Sequence, residues 1–352
     1  LRFTEEELQY IDQIRWIKGS YVDFLRVWQP RYEDFTISTD DPCGLAIDAR
    51  GSWLCSSMYE IPVLAIVNEV YFRMQYNYED LLKAFEEKLD EKINWLVSGK
   101  YHIGNFSEFG LRRRLSAEAQ DMAVRKLVEA NGKFHREGNL WSHCVGTSNV
   151  YLAKKYNLTP IGTYAHEFVQ MYQGIDSIPL AYTNHYAMKD WYDEYQGDNG
   201  TALTDTVTTD LFLLDFNRSM VNNYTGVRHD SGDPFAWGDR IIAHYEKYGV
   251  DNILYQANLL KKLLLFSDSL DFDRAQKLYD YFCNKTKVSF GIGTFCSNDT
   301  EEKALNIVIK LQYVNGRPVA KLSDTPSKAM CRDNDYLDYL KRSVEFRLGR
   351  EK

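Results

Sequence analysis

The stretch Leu263-Leu-Leu-Phe-Ser-Asp268, together with the sequence that follows it, decides the predicted fold. Its leading residues form an unbroken apolar run, typical of a strand covered on both faces, and its last two residues are polar. A helical pattern comes next, with apolar residues at i, i+3, i+4 and i+7: Ala275, Leu278, Tyr279 and Phe282. Asp271 or Asp273 suits the N-cap of this helix. A buried strand followed by an amphipathic helix is the repeating unit of an α/β protein.

A second unit of this kind begins at Gly226 and leads into a helix after Asp233 and Pro234, which suit a cap and a first turn. From about Gly104 onward, short apolar segments that end in polar residues alternate with amphipathic helices. The predicted strand ends lie 25 to 42 residues apart: Thr163, Asp205, Asp230, Asp268 and Thr294. Because parallel strands joined by right-handed crossovers end on the same rim, we expect these polar residues to converge.

The sequence on either side of this region predicts other elements. About the first hundred residues are mostly helical, best seen in the amphipathic stretch 82–96, with short strands at 46–48 and 51–55. After Thr300, two further strands are predicted at 305–314 and 318–322, joined by an Asn315-Gly316 turn. We expect this hairpin to leave the α/β region and to join the N-terminal part.

Composition and charge limit the class of protein. The chain has 352 residues, with 44% hydrophobic and 26% charged, ordinary globular proportions that exclude disorder, collagen and coiled coil. Its net charge of -8 argues against a general nucleic-acid binder, because affinity for phosphate backbones needs a basic surface. An anionic ligand must therefore meet a local cluster of positive charge.

The cysteines and the apolar runs indicate the compartment. The six cysteines are scattered without a CxxC pair, so we expect neither a zinc site nor disulfides but free thiols in a reducing, cytoplasmic compartment. The longest apolar run, 61–67, is too short to span a membrane, and no signal peptide is visible. Because the chain begins at Leu1 rather than Met, we expect that a natural N-terminal segment is missing.

Three segments combine polar groups with glycine: Gly162-Thr-Tyr-Ala-His-Glu167, Val227-Arg-His-Asp-Ser-Gly-Asp-Pro234 and Ser289-Phe-Gly-Ile-Gly-Thr294. Together they indicate an anionic, hydroxyl-rich ligand. In the third, Gly291 and Gly293 allow backbone N–H groups to approach a phosphate and Thr294 adds a hydroxyl, although a tight turn explains the pattern equally well.

The other two segments contain candidate side chains for chemistry. Arg228 offers a planar fork to a carboxylate or phosphate, and Asp230 could accept from sugar hydroxyls or hold magnesium through water; a plain Arg–Asp ion pair is the alternative. His166 can act as a general base, accept a phosphoryl group or be a buried structural residue. An acid from another strand end is a better partner for its ring than Glu167, because neighbours on a helix point about 100° apart.

Taken in order, these stretches closely resemble nicotinate phosphoribosyltransferases over nearly the whole chain. The matching motifs are Gly146-Thr-Ser-Asn149, Thr159-Pro-Ile-Gly-Thr-Tyr-Ala-His-Glu167, Ala202-Leu-Thr-Asp205, Val227-Arg-His-Asp-Ser-Gly-Asp-Pro234, Phe266-Ser-Asp268, Phe290-Gly-Ile-Gly-Thr294, Leu305-Asn-Ile-Val-Ile-Lys310 and Lys321-Leu-Ser-Asp324. Phe109-Gly-Leu-Arg-Arg-Arg114 resembles the arginine-bearing loop of the family, with Leu111 where many bacterial members carry Thr.

The resemblance implies a type II phosphoribosyltransferase fold: an irregular TIM-like α/β barrel with the active site over 104–300, and a second α/β, sandwich-like domain from both chain ends, 1–103 plus 301–352. It implies ATP-coupled transfer of phosphoribosyl from phosphoribosyl pyrophosphate (PRPP) to nicotinate in NAD salvage, with Mg²⁺, by a homodimer with shared sites. No nucleic acid or membrane partner is expected. Since the sequence has no GxxxxGK[ST], ATP coupling cannot use a P-loop.

The resemblance also assigns roles by position. His166, Asp230 and Asp268 would be catalytic, with His166 phosphorylated. The remaining assignments are nicotinate binding by Thr163, Arg228 and Arg112; binding of PRPP and its phosphates by Gly291, Gly293, Thr294, Arg113 and Ser231; and magnesium, through water, by Asp230 and Asp268.

Two alternatives stay open. A nicotinamide or quinolinate phosphoribosyltransferase has the same fold, and a non-catalytic nucleotide-binding scaffold could have kept it. In the family, an aromatic residue upstream of what is Leu1 here stacks on nicotinate from the neighbouring subunit. If the protein begins at Leu1, poor base binding is expected.

Overall fold

The N-terminal part of the chain is helical with one hairpin. The structure, a computed structural model, describes residues 2–41, 44–137, 142–248 and 262–350. Its first elements are helices α1 (Glu5–Asp12) and α2 (Gly19–Val27), antiparallel strands β1 (Phe35–Asp41) and β2 (Gly44–Ala49), and helices α3 (Trp53–Ser56), α4 (Glu60–Gln75) and α5 (Tyr78–Val97). The predicted amphipathic helix is confirmed in α5, which buries Leu81, Phe85, Leu89, Ile93 and Leu96.

One of the two short strands predicted here is wrong. The strand at 46–48 is confirmed within β2, whereas the one at 51–55 is replaced by helix α3. Gly51 takes a φ of 154°, and Ser52 then serves as N-cap of the short helix. The backbone therefore turns where an extended strand was expected.

The α/β region begins at Gly104, as predicted. Its elements are β3 (Gly104–Glu108), α6 (Ala117–Glu137), β4 (Ser142–Thr147), α7 (Val150–Tyr156), β5 (Thr159–Pro160), α8 (His166–Met171), α9 (Thr183–Tyr195), β6 (Thr201–Leu203), α10 (Thr209–Asp215), α11 (Arg218–Asn223), β7 (Gly226–His229), α12 (Pro234–Tyr248), β8 (Leu263–Phe266), α13 (Phe272–Phe282), β9 (Lys287–Ile292) and α14 (Thr294–Ser297). The predicted caps are confirmed: Asp271 accepts from Arg274 N at 2.7 Å and Asp233 from Ala236 N at 2.8 Å.

The strands of this region form a seven-stranded sheet in the order β5-β4-β3-β9-β8-β7-β6. All neighbouring pairs are parallel. Since β9 pairs with β3, the strands follow the cyclic order of a barrel, and the ring is open between β5 and β6. Side chains bridge this seam, where Tyr164 donates from its hydroxyl to Leu203 O at 3.5 Å. The sheet is thus an irregular, curled α/β half-barrel, which confirms the predicted fold class.

The core lies inside the sheet and between it and the helices. Phe106, Phe266 and Phe290, one from each of three adjacent strands, are at most 1% exposed. Phe266 and Phe290 stack with ring centroids 6.0 Å apart. This packing on both faces explains why β8 is a continuous apolar run rather than an alternating one.

The segment after Thr300 departs from its prediction. The Asn315-Gly316 turn is confirmed, but the hairpin is limited to β10 (Tyr313–Val314) and β11 (Arg317–Pro318). Residues 305–312 do not form a strand. Two of their backbone carbonyls instead accept hydrogen bonds from side chains of the barrel: Arg113 donates to Ile307 O at 3.2 Å, and Gln170 donates to Leu311 O at 3.3 Å.

The hairpin also stays with the barrel instead of leaving it. Asn315 Nδ2 donates to Gly174 O at 3.2 Å, and no side chain would fit at Gly174, whose Cβ would lie 2.4 Å from Val314. Beyond the hairpin, Leu322 N donates to Thr206 O at 2.9 Å, so the chain runs back across the rim. The hairpin therefore packs on the barrel, while residues on either side of it reach the N-terminal part, as in the pairs Tyr76–Glu302 and Arg332–Asp48, at 3.0 and 2.8 Å.

The last helix, α15 (Asn334–Arg350), is also fixed to the barrel. Its Arg347 pairs with Asp215 of α10 at 2.7 Å, both side chains being nearly buried, and lies 3.8 Å from the ring of Tyr182.

Within the described ranges, no helix is both long and apolar enough to cross a membrane. The cysteines of the described residues are free, as expected: Cys55, Cys144, Cys283, Cys296 and Cys331. Cys43 lies outside them.

Candidate active site

The predicted polar residues do follow the carboxyl ends of the strands. Asp230 directly follows β7, Asp205 and Asp268 stand two residues beyond β6 and β8, and Thr294 opens α14 after β9. Thr163 lies three residues beyond β5, which is shorter than expected. The rim brings His166, Asp205 and Asp230 together, with one side-chain ligand atom of each within 4.8 Å of the others. The predicted convergence is therefore confirmed for Asp205 and Asp230, and His166 from the start of α8 joins them.

His166 is the centre of this group. It opens helix α8 and is 6% exposed. Its Nε2 lies 3.0 Å from Asp230 Oδ2, and its Nδ1 lies 3.0 Å from Thr206 Oγ1 and 3.8 Å from Asp205 Oδ1. Acids from two other strand ends thus face the ring, as expected. The neighbouring Glu167 instead accepts from Trp53 Nε1 at 2.8 Å.

Lys321 completes the group and was not predicted as a site residue. Its Nζ lies 2.9 Å from His166 Nε2, 3.1 Å from Asp205 Oδ2 and 3.9 Å from Asp230 Oδ2, and the residue is 4% exposed. The signal available in the sequence was a lysine beside the buried pair Val319 and Ala320, within a motif quoted for the resemblance.

The charges set the protonation state of the ring. Burial lowers the pKa of His166, Lys321 adds to this effect, and the bond to Asp230 and the charge of Asp205 oppose it. Burial by itself would raise the pKa of Asp230, yet Arg228, His166 and Lys321 hold it well below its usual value. Burial likewise opposes ionisation of Asp205, and His166 and Lys321 overcome it and lower its pKa. The site is therefore a neutral imidazole beside two carboxylates and an ammonium.

Arg228 and Thr163 also lie together, as the resemblance implied. Arg228 Nη1 donates to Thr163 Oγ1 at 3.0 Å, Nη2 to Asp230 Oδ1 at 2.9 Å and Nε to Ser267 Oγ at 2.8 Å. The Arg–Asp ion pair considered from the sequence is present. It does not stand alone, because Asp230 joins the guanidinium to the imidazole of His166.

Ser231 lies in a buried position below the rim. It is 1% exposed, and its hydroxyl donates to Asp205 Oδ2 at 2.6 Å. It also accepts from Ser323 Oγ at 2.9 Å and from Asp324 N at 3.2 Å. In this structure its contacts are thus to the carboxylate next to His166.

The glycine segment divides into a packed part and an open part. Gly291 belongs to β9 opposite Ser107, and a Cβ there would lie 2.4 Å from the ring of Phe109. Gly293 has more room, with Phe109 O at 3.7 Å from its would-be Cβ. Close packing explains Gly291, whereas Gly293 and Thr294 are placed beyond the strand end where a phosphate could approach.

The arginine loop extends along the same rim. Arg112 pairs with Glu60 at 2.7 Å, while Arg113 Nε donates to Ile307 O. The carbonyl of Arg113 accepts from Asn298 Nδ2 at 2.9 Å, which fixes the backbone of the loop. The two arginines therefore point to different partners although they are adjacent in sequence.

Asp268 lies apart from the His166 group. Its Oδ1 is paired with Lys328 Nζ at 2.8 Å, and the same ammonium donates to Asp230 O at 3.1 Å. Lys328 is a second cation that sequence reasoning missed, since it belongs to the irregular segment after the hairpin.

The residues present do not form a magnesium cage. Mg²⁺ takes oxygen ligands in octahedral geometry and keeps several waters. Here the ammonium of Lys321 lies within 3.9 Å of both carboxylates of the group, and Asp230 is also paired with Arg228. The negative charge that would attract a bare cation is already neutralised by side chains.

Two models of one protein family match this chain. Residues 105–348 match the model of the nicotinate phosphoribosyltransferase (NAPRTase) family, and residues 1–68 match that of its N-terminal domain. The nicotinate phosphoribosyltransferase of Neisseria gonorrhoeae is 41% identical over 348 residues, 97% of this chain and 82% of the relative. That of Herminiimonas arsenicoxydans is 42% identical over 347 residues, 97% of this chain and 83% of the relative.

Two solved structures of nicotinate phosphoribosyltransferases have the same fold as this chain. The crystal structure of nicotinate phosphoribosyltransferase from Vibrio cholerae superposes with a TM-score of 0.85 at 38% identity, covering 100% of this chain and 83% of that one. The one from Porphyromonas gingivalis gives 0.81 at 31% identity, covering 97% and 85%.

Proposed function

Because this chain belongs to the nicotinate phosphoribosyltransferase family, we propose that its barrel rim joins nicotinate to the phosphoribosyl group of PRPP. The products are nicotinate mononucleotide and diphosphate, a step of NAD salvage. The family is one of enzymes with small-molecule substrates, PRPP and ATP among them. The observation that carries the proposal is the buried His166, held between acids from two strand ends and Lys321.

The residue types suit this reaction. Displacement at C1 of the ribose passes through an oxocarbenium-like state, so the enzyme must mainly position the base and neutralise the leaving diphosphate. Nicotinate brings a carboxylate, which an arginine fork can bind with two hydrogen bonds. Arg228 is held from two sides by Asp230 and Ser267, so its Nη1 is aimed at Thr163. We assign the nicotinate carboxylate to this Arg228–Thr163 side, and we add Arg112 of the loop because the resemblance implies it.

The phosphates of PRPP need cations and backbone donors. Gly293 and Thr294 follow β9 and are assigned to the ribose 5-phosphate, with Gly291 supporting the turn through its packing on Phe109. Arg113 supplies a cation to the diphosphate side. Ser231 acts on the phosphate site indirectly, because its hydroxyl donates to Asp205 and is not free to bind a phosphate.

ATP coupling is assigned to His166. A neutral ring nitrogen is a nucleophile, and burial keeps the pKa of His166 below its ordinary value. In the proposed step the ring nitrogen forms a bond to the γ-phosphorus of ATP, the bond from phosphorus to the ADP oxygen breaks, and ADP leaves with the electron pair. Asp205 and Asp230 stabilise the positive ring, and Lys321, 2.9 Å from Nε2, neutralises the added phosphoryl charge.

Magnesium is expected to bind as a complex with the phosphate-bearing substrates. Since side-chain cations already pair with Asp230 and Asp268, we place the metal on the phosphates, where Mg²⁺ commonly binds with most of its waters retained. Asp230 and Asp268 would reach it through water.

The proposal also covers the oligomeric state, the cellular location and the domain division of the protein. We infer a homodimer with shared sites and a cytoplasmic location, and we divide the chain into a barrel domain, 104–300, and a second domain, 1–103 with 301–352. The family resemblance supports these three inferences. Size-exclusion chromatography with light scattering would test the dimer.

The test of the proposed activity is a competition between bases. The purified protein receives PRPP, ATP and equal amounts of nicotinate, nicotinamide and quinolinate, and the mononucleotides are separated by chromatography. Nicotinate mononucleotide should dominate. Turnover of nicotinamide or quinolinate alone would favour the rival phosphoribosyltransferases, and no product from any base would favour the nucleotide-binding scaffold.

A further inference from the structure

Ser323 has an unusual backbone conformation for its position in the molecule. Its φ is 63°, in the left-handed region that glycine adopts freely and other residues adopt at a cost. It is nevertheless buried, 7% exposed, and lies two residues after Lys321. Residues held in such conformations persist where the surrounding structure fixes them, often near functional sites.

The contacts of Ser323 lead to the carboxylate beside His166. Its hydroxyl lies 2.9 Å from Ser231 Oγ and 3.3 Å from Asp205 Oδ2, and Ser231 itself donates to Asp205 Oδ2 at 2.6 Å. Its Oγ also accepts from Thr325 N at 3.4 Å. The left-handed turn therefore brings a second hydroxyl to the same oxygen of Asp205.

This arrangement fixes the direction of Asp205. Ser231, Ser323 and Lys321 all contact Oδ2, whereas Oδ1 has no hydrogen-bond partner among the described residues and lies 3.8 Å from His166 Nδ1. Because Oδ2 is anchored, Oδ1 faces the imidazole. A carboxylate in that direction stabilises positive charge on the ring when its other nitrogen is modified.

We propose that Ser323 is a positioning residue for the phosphorylation of His166: its left-handed backbone places a hydroxyl on the Ser231–Asp205 pair and so keeps Asp205 Oδ1 on the ring. The inference rests on the proposed function. It assigns a role to the Lys321–Asp324 motif that reaches beyond the direct contact of Lys321.

The main test replaces Ser323 with glycine. Ser323→Gly retains the left-handed conformation at no steric cost and removes the hydroxymethyl side chain together with its hydroxyl. If Ser323 serves the turn alone, the variant keeps wild-type turnover and its unfolding midpoint holds or rises. If Ser323 positions Asp205, the rate at which ATP labels His166 and kcat both fall about tenfold, as for loss of a supporting hydrogen bond, while the midpoint still holds or rises. The KM for nicotinate stays near its wild-type value, because Arg228 and Thr163 are untouched.

A matched control and a double variant sharpen the result. Asn315 has a similar φ of 51° but is exposed at the hairpin, so Asn315→Gly makes the same backbone change away from the site and should label and turn over normally. Ser231→Ala removes the hydroxyl between Ser323 and Asp205. If both hydroxyls act on the same oxygen of Asp205, the losses in the double variant Ser323→Gly/Ser231→Ala are less than additive, whereas fully additive losses would contradict a shared action on Asp205.

A spectroscopic readout separates this inference from the proposed activity. In protein labelled with ¹⁵N-histidine, the Nδ1 signal of His166 reports its hydrogen-bonding environment without any substrate. A shifted signal in Ser323→Gly supports positioning, and an unchanged signal together with wild-type labelling overturns it. A wild-type protein without nicotinate turnover would overturn the proposed function, while the Nδ1 signal would still decide the role of Ser323.

Discussion

The carboxylate of Asp230 and the imidazole of His166 are joined by a 3.0 Å contact between Oδ2 and Nε2, and the other carboxylate oxygen is held by the guanidinium of Arg228 at 2.9 Å. Asp230 therefore links the group assigned to nicotinate with the group assigned to ATP. A change at this residue should affect both halves of the reaction.

Asp230→Asn should lower kcat/KM for nicotinate and the labelling of His166 together, each by about a hundredfold. The pair is half-buried, and loss of one partner leaves the remaining charge largely shielded from water and uncompensated. Steady-state kinetics and incorporation of labelled phosphate from ATP measure the two effects. Asp233→Asn, which preserves a helix cap on the same loop, should behave as wild type. Loss of one function alone would contradict the linking role.

His166→Ala should abolish stimulation by ATP while slow, PRPP-dependent turnover survives. The variant lacks the phosphoryl acceptor but keeps the residues assigned to nicotinate and ribose phosphate. Rates with and without ATP, and a search for acid-labile, alkali-stable phosphate on the protein, measure the effect. Glu167→Gln is the neighbouring control. Wild-type stimulation in His166→Ala, or ATP-stimulated turnover by a wild-type protein that carries no label, would refute the phosphohistidine mechanism.

Arg228→Lys should weaken nicotinate binding almost as strongly as Arg228→Ala. A lysine keeps the charge but loses the fork that holds Asp230, Thr163 and Ser267 at once. A charged hydrogen bond contributes about 1.5–3 kcal/mol, so KM for nicotinate should rise roughly ten- to hundredfold with KM for PRPP less affected. If the KM for PRPP rose more, the assignment of Arg228 to the base would be wrong.

Stability should fall as the pH drops below the ordinary histidine pKa of 6.5. Burial lowers the pKa of His166, so the folded protein binds fewer protons than the unfolded chain between 6.5 and the lowered value, and acid favours unfolding there. The lowered pKa values of Asp205 and Asp230 add a loss of the same sign below 3.8. Urea unfolding at pH 7.5, 6.5 and 5.5 measures the first loss. His166→Gln should reduce it, and an unchanged slope in that variant would place the effect elsewhere.

Arg347→Ala should destabilise the protein by about 3–5 kcal/mol, because it removes the guanidinium that lies 2.7 Å from the buried carboxylate of Asp215. Urea unfolding gives the difference directly. The double variant Arg347→Met/Asp215→Asn should recover part of the loss, since it removes both charges. A cost below about 1 kcal/mol, the range of exposed ion pairs, would show that the C-terminal helix is held by other contacts.

The repeating units of the barrel were predictable because their information is local. The Asp271 cap, the apolar stripe after it and the strand ends at Asp205 and Asp230 can all be read from short windows of sequence. The meeting of His166 with these acids followed from one rule about parallel strands.

The contributions of Lys321, Lys328 and Ser323 could not be found in that way. They belong to an irregular segment that is held by hydrogen bonds from barrel side chains to its backbone carbonyls. Hydrogen bonds of this kind leave no periodic pattern in the sequence. Bonds of this kind, from Arg113 and Gln170, also hold residues 305–312 in an irregular path, where the apolar residues had predicted a strand. At 51–55, the backbone turns at Gly51 and a short helix forms in place of the predicted strand.

The open seam between β5 and β6 gives the site a mechanical property. Enlarging most barrels at one point means breaking the ladder between two strands, but at this point of the described sheet the wall is closed by the side chains of Tyr164, His166 and Thr206. If His166 accepts the proposed phosphoryl group, the side-chain contacts at this gap are the ones that must rearrange to make room for it. We therefore expect a phosphorylated His166 to strain only the seam and to leave the hydrogen-bonded ladders of the other described strands intact.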